Sequence, residues 1–140
     1  MQHLRTSEVD AALFTSVQSL ADSSNLELSF PNVALNKQPT LYFSVATMYG
    51  NGARALSAAY LAYEGILQIT AAYIEGRGII FPQEKLAIFK DFYGASKVVN
   101  TSNHTVHFYS QSTAPPVFGK DGQKSGAYVY IPLTLNFKVT

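Results

Sequence analysis

Val129, Ile131, Leu133, Leu135, Phe137 and Val139 alternate without a break with Tyr128, Tyr130, Pro132, Thr134, Asn136 and Lys138. Successive side chains of a strand point to opposite faces, so this period of two demands a strand with one whole face buried. Pro132 lacks an amide donor, and the strand is therefore expected at an edge, or bulged, at that position. The chain has 140 residues, which fits one domain spanning 1–140. It has no cysteine, so neither disulfides nor sulfur-ligated metals can hold it. Burial has to do that work, and 47% of its residues are hydrophobic.

Thr6 and Ser7 are good helix caps, and Glu8 and Asp10 follow in the first turn, where acidic groups favour the helix dipole. Val9, Leu13, Val17 and Leu20 form one apolar stripe, and Ser23-Ser24-Asn25 ends this first helix. Leu26 to Phe30 reads as a short strand, and Leu41 to Met48 as a half-buried one. Tyr60 to Ile74 alternates over a long span, interrupted at Gly65 by a bulge or a close backbone approach. A second helix takes Pro82 in its first turn and buries Leu86, Phe89 and either Phe92 or Tyr93, with Gly94 as its stop. Lys97 to Asn100 and Thr105 to Ser110 are short strands. Helix, strands, helix, strands predicts an α+β fold, an antiparallel-leaning mixed sheet packed against two main helices. Its core is expected from Val9, Leu13, Val17, Leu67, Ile69, Phe89, Leu133 and Leu135.

Ten Lys and Arg against nine Asp and Glu leave a net charge of +1, which argues against a polyanion-binding surface. Charged residues are only 14% of the chain and aromatics 13%, so much of the surface must be apolar or hydroxyl-bearing, the mark of a protein that works in contact with others. Met1 to Arg5 lacks the layout of a signal peptide and no apolar run has the length of a membrane helix, so the expected compartment is cytoplasmic, with no membrane.

No set of residues points to catalysis or to a cofactor. His104 and His107 resemble half a metal site, but an odd spacing on a strand sends the rings to opposite faces. Glu84 and Asp91 read as a solvated helix face beside Lys85 and Lys90, and Ser102 and Ser110 lie in no nucleophile motif. Gly50-Asn51-Gly52 and Gly76-Arg77-Gly78 lack the pattern of a phosphate cradle and read as turns. No enzyme, metal or cofactor is expected. The candidate functional element is instead the stretch from Tyr49 to Ala59, read as a long mobile hairpin loop. Tyr49, Asn51, Arg54, Leu56 and Tyr60 are its interface residues, with Lys37, Lys120 and Lys124 on other loops.

A resemblance adds to this reading. An amphipathic first helix, then Phe30-Pro-Asn-Val-Ala34, the Tyr42-Phe-Ser-Val45 strand, a variable loop, Tyr63-Glu-Gly-Ile-Leu-Gln-Ile-Thr70 leading to Tyr73-Ile-Glu-Gly-Arg-Gly78, and a second helix with Phe89 together resemble the lambda-type phage tail terminators, the minor tail protein U-like family. The chain departs from that pattern with Phe30 where Trp is common and with Glu64 where a basic residue commonly precedes the glycine. The resemblance implies a hexameric ring at the head-proximal end of a phage tail, made in the bacterial host cytoplasm. Such a ring caps the tail tube protein, stops polymerisation and presents the surface for a head-tail connector protein. DNA passes through its lumen without specific binding. The competing reading is a small-ligand-binding α+β barrel-like domain, with the long strands curled around a Tyr- and Phe-lined cavity.

Overall fold

Period-two and period-four patterns each find their partner layer in the structure, a computed structural model. It describes residues 6–29, 41–57, 60–74, 80–94, 97–118 and 128–140, with the backbone alone for 51–57, 60–62, 74, 117–118 and 128. In chain order the elements are α1 (Thr6–Ser24), β1 (Leu28–Ser29), β2 (Leu41–Ser57), β3 (Tyr60–Ile74), α2 (Ile80–Phe92), β4 (Val98–Asn100), β5 (Thr105–Thr113), β6 (Val117–Phe118) and β7 (Tyr128–Val139). The strands form one sheet in the order β1-β2-β3-β7-β5-β4, and β6 pairs with β7 beyond the end of β5. Every pairing is antiparallel except β1 with β2. The expected α+β architecture is the observed one.

Both helices cover the same face of the sheet. On α1, Val9, Leu13, Val17 and Ala21 are fully buried, and Leu20 packs half-buried beside them. Asn25 stops the helix in the left-handed region at φ 60. Its amide donates to the Asp22 carbonyl at 3.3 Å, and the Leu26 amide reaches back to the Ala21 carbonyl at 2.9 Å. This pair of bonds satisfies carbonyls that the last turn would leave open, and half-buried Leu26 folds back onto the core. On α2, Pro82, Leu86, Phe89 and Tyr93 face the sheet, so the choice between Phe92 and Tyr93 falls to Tyr93, which is 1% exposed against 38% for Phe92. The Tyr93 hydroxyl lies 2.6 Å from Ser16 Oγ and ties the two helices together.

The alternation from 128 to 139 is β7, with its odd residues from 129 to 139 inside the core. All eight expected core residues are fully buried. The expectation for Pro132 needs correction, because β7 lies between β3 and β5 and is not an edge strand. β5 pairs with it as far as Thr113↔Leu133, and β6 resumes at Val117↔Tyr130. Pro132 falls in the interval between them. Its carbonyl accepts from the Ala114 amide at 3.1 Å, so the missing donor also faces that interval, and no ladder bond to β3 is lost.

The stretch from Tyr49 to Ala59 also departs from expectation. It is not a loop up to Ser57, because β2 runs unbroken from Leu41 to Ser57 and pairs back onto β3 through Ala53↔Tyr63, Arg54↔Ala62, Ala55↔Leu61 and Ser57↔Tyr60. Between Tyr49↔Gly65 and Ala53↔Tyr63 the register shifts, so that residues 50–52 oppose Glu64 alone. The irregularity expected at Gly65 is therefore real, but the extra residues belong to β2. Gly65 itself is the close approach: a Cβ there would lie 2.5 Å from Cζ of Phe137 and 2.9 Å from the Met48 carbonyl oxygen.

Candidate functional site

Of the candidate interface residues, Tyr49, Asn51, Arg54, Leu56 and Tyr60 lie on the β2–β3 hairpin, whereas Lys37, Lys120 and Lys124 lie outside the described residues. Tyr49 does not project as a loop residue would. It is half-buried on the helix-covered face, edge-on to Phe137 with ring centroids 5.9 Å apart. Its hydroxyl donates to Asp10 Oδ1 at 2.5 Å, and Thr47 Oγ1 donates to the same oxygen at 2.8 Å. Burial, together with the carboxylate beside it, pushes the Tyr49 hydroxyl pKa well up, so it stays a donor.

Glu8, two residues before Asp10 and so on the other flank of α1, holds the turn between β4 and β5. Its carboxylate accepts from the Thr101 hydroxyl, from Nδ2 of Asn103 at 2.7 Å and from the Asn103 amide at 3.0 Å. The hydrogen bonds from Thr101 and Asn103 hold its carboxyl below the usual range. Both acids that read from sequence as dipole partners of the helix are thus tertiary clasps. Sequence reasoning missed this because their partners, Thr47, Tyr49, Thr101 and Asn103, are remote in the chain.

The histidines do not converge. His104 is buried in the β4–β5 turn with its amide on Thr101 Oγ1 at 2.8 Å, whereas His107 sits between inward-facing Val106 and Phe108 and lies 3.4 Å from Thr140 Oγ1 on the outer face. Glu84 and Asp91 are exposed on α2. Among the described residues no three His, Asp or Glu side chains come together in a way that could hold a metal ion.

What the fold does present is the sheet face away from the helices. Its side chains form rows across four strands: Ala46, Gln68, Thr134 and Ser112 in one, and Met48, Ile66, Asn136 and Ser110 in the next. Asn136 Nδ2 donates to Ser110 Oγ at 3.0 Å. One row further, Glu64 opposes Lys138, and Lys138 Nζ lies 5.0 Å from the centroid of the Tyr109 ring. Ala72, between Tyr42 and Tyr130 in register, is fully buried even on this side. At the register shift a shallow, open groove of about 360 Å³ is lined by Met48, Gly50, Glu64, Ile66, Tyr109 and Asn136, among others. Met48 and Tyr109 at its rim are 53% and 45% exposed. Small, hydroxyl-bearing and apolar residues dominate this face, and Glu64 and Lys138 are its charged pair among the described residues. Such chemistry suits contact with another protein and offers little to a charged ligand.

No protein-family profile and no curated protein matches the chain. Solved structures do. One that bears no functional name superposes with a TM-score of 0.75 at 16% identity, over 99% of this chain and 97% of its own. A chain of the virion of a native gene transfer agent particle superposes with a TM-score of 0.64 at 12% identity, over 99% of this chain and 98% of that one. At these identities the likeness establishes a shared fold.

Proposed function

We propose that the protein is a structural subunit of a phage-type virion and, within it, the tail terminator. The observation that carries this reading is the end-to-end likeness to a chain of a gene transfer agent virion, with 99% of this chain and 98% of that one superposed. The motif resemblance to lambda-type terminators points the same way, and so does the outer sheet face, whose weak charge fits a packing surface. In this reading copies of the chain close head to tail into a ring of six, each copy's donor patch meeting its neighbour's acceptor patch. One face of the ring meets the tail tube protein and ends its growth, and the other receives the head-tail connector protein. DNA passes through the lumen, whose wall does not hold it. The protein catalyses nothing and works without a cofactor.

The ligand-binding alternative asks for long strands curled around a cavity. Among the described residues the sheet has two ends, β1 and β4, and the groove at Met48 is open to solvent. The terminator reading is therefore preferred. Light scattering on the purified protein, followed by negative-stain imaging, tests it. Six-membered rings that cap tail tubes and restore head joining to terminator-deficient particles are the expected result. A chain that stays monomeric at every concentration and never associates with tube ends would refute it.

A further inference from the structure

Among the described residues the sheet has an unpaired stretch at each end, and neither stretch contains a charged residue or a proline. β1, among the described residues, covers β2 at Phe43 and Ser44 alone. The Phe43 amide donates away from β3, to the Glu27 carbonyl at 2.9 Å. Successive residues of a strand turn their amide and carbonyl to alternate sides, so Val45, Thr47 and Tyr49 also turn theirs outward, up to the register shift. Among the described residues no strand pairs with them. From Leu41 to Ala53 β2 contains neither a charged residue nor a proline. Natural edges are usually blunted by Lys, by Pro or by shortness, and a long neutral edge is a template for another strand.

The other end is complementary. Coverage of β5 on its outer side reaches Phe108, whose amide donates to the Lys97 carbonyl at 2.9 Å. Beyond the shift that follows Phe108, the Ala114 amide points inward to the Pro132 carbonyl, so Gln111 and Thr113 turn their amides and carbonyls outward. The segment Ser110–Thr113 is uncharged as well. Each neighbouring pair along β2, β3, β7 and β5 is antiparallel, which makes β2 and β5 antiparallel to each other. A second copy displaced sideways along the sheet therefore brings its β5 edge against the first copy's β2 edge in the same sense as the pairings inside the sheet.

We infer that the chain binds a second copy of itself by joining these edges, β2 at Val45–Tyr49 of one copy to β5 at Gln111–Thr113 of the next. The joint is head to tail. Each copy uses a different edge on each side, and a closed ring leaves neither exposed. The inference rests on the ring proposed above and specifies how that ring is held.

Replacement of Thr113, which is exposed and directs its amide outward, separates the joint from the fold. Thr113→Pro removes the donor, whereas Thr113→Val keeps it. The expected result is that T113V assembles like the wild type, while T113P keeps the wild-type far-UV circular dichroism and loses at least tenfold in assembled fraction. In the wild type, amide exchange at Val45, Thr47 and Tyr49 slows at least tenfold on assembly, a measurement that decides the matter even where T113P fails to fold. A T113P variant that assembles as well as wild type overturns the joint, as does equal exchange at those amides before and after assembly, or a two-fold dimer through β2 alone. A ring whose β2 amides exchange freely overturns the joint and leaves the ring standing. A chain that never assembles overturns both.

Discussion

Gly65→Ala tests the packing at the centre of the sheet most directly. The added methyl would sit 2.5 and 2.7 Å from Cζ and Cε1 of Phe137 and 2.9 Å from the Met48 carbonyl oxygen. Carbon atoms in contact ordinarily lie about 3.5–4.0 Å apart, so the ring must withdraw by about 1 Å. It has little room to do so. Phe137 is fully buried, with Tyr49 edge-on at 5.9 Å and Phe108 at 5.8 Å. The second obstacle is backbone, and moving the Met48 carbonyl disturbs the pairing of β2 with β3. Overpacking of this kind costs about 1–3 kcal/mol, and the involvement of backbone places Gly65→Ala near the top of that range. The smaller entropy loss of Ala on folding offsets about 0.5–1 kcal/mol, leaving a net loss of about 2 kcal/mol. With an unfolding entropy of about 2.1 cal/mol/K per residue, that loss lowers Tm by about 7 °C. Differential scanning calorimetry measures this, and a cycle with Phe137→Leu assigns its origin: the two substitutions together should cost less than the sum of each alone. A Tm for Gly65→Ala within about 2 °C of wild type, or strict additivity with Phe137→Leu, would refute the account.

Leu133→Ala removes a fully buried side chain and is expected to cost about 2–5 kcal/mol in denaturant titration. Glu8 binds protons less readily in the folded protein than in the unfolded chain, so its stabilisation is full above the ordinary carboxylate range and is lost as pH falls through and below it. Glu8→Gln should accordingly show a shallower fall of Tm between neutral pH and pH of about 3. Burial pushes the Tyr93 hydroxyl up to about 12 from 10.0, so the stability it contributes is complete below pH 10 and is lost as pH rises toward about 12. Tyr93→Phe should start from a lower Tm, having lost the bond to Ser16, yet decline less steeply with alkali, and parallel declines would exclude the assignment. Dialysis against a chelator is expected to leave Tm unchanged, and a drop reversed by zinc and abolished in a His104→Ala, His107→Ala variant would show a metal site.

Local pattern sufficed for the elements whose partners are generic. A strand such as 128–139 needs only some apolar layer over its odd residues, and the stripes of α1 and α2 need only some sheet, so period alone places their buried faces. The stop at Asn25 is equally local, because one residue in the left-handed region closes the last turn wherever the helix sits. The stretch from 49 to 57 hid its character for the opposite reason. Gly50-Asn51-Gly52 and Ala53 carry too little contrast between faces for an alternation to show, and it is pairing with 60–65 that makes this stretch a strand. The site followed the same division. Scarce charge pointed to a protein made for contact, but the rows from Ala46 to Ser112 and from Met48 to Ser110 exist only because four strands stand in one register. Only the packing of sheet and helices turns Tyr49 inward to Asp10, sets Glu8 on a turn more than ninety residues away and places Pro132 in a central strand. Each depends on which atom comes to lie opposite, and a pattern read along one chain carries no information about distance across it.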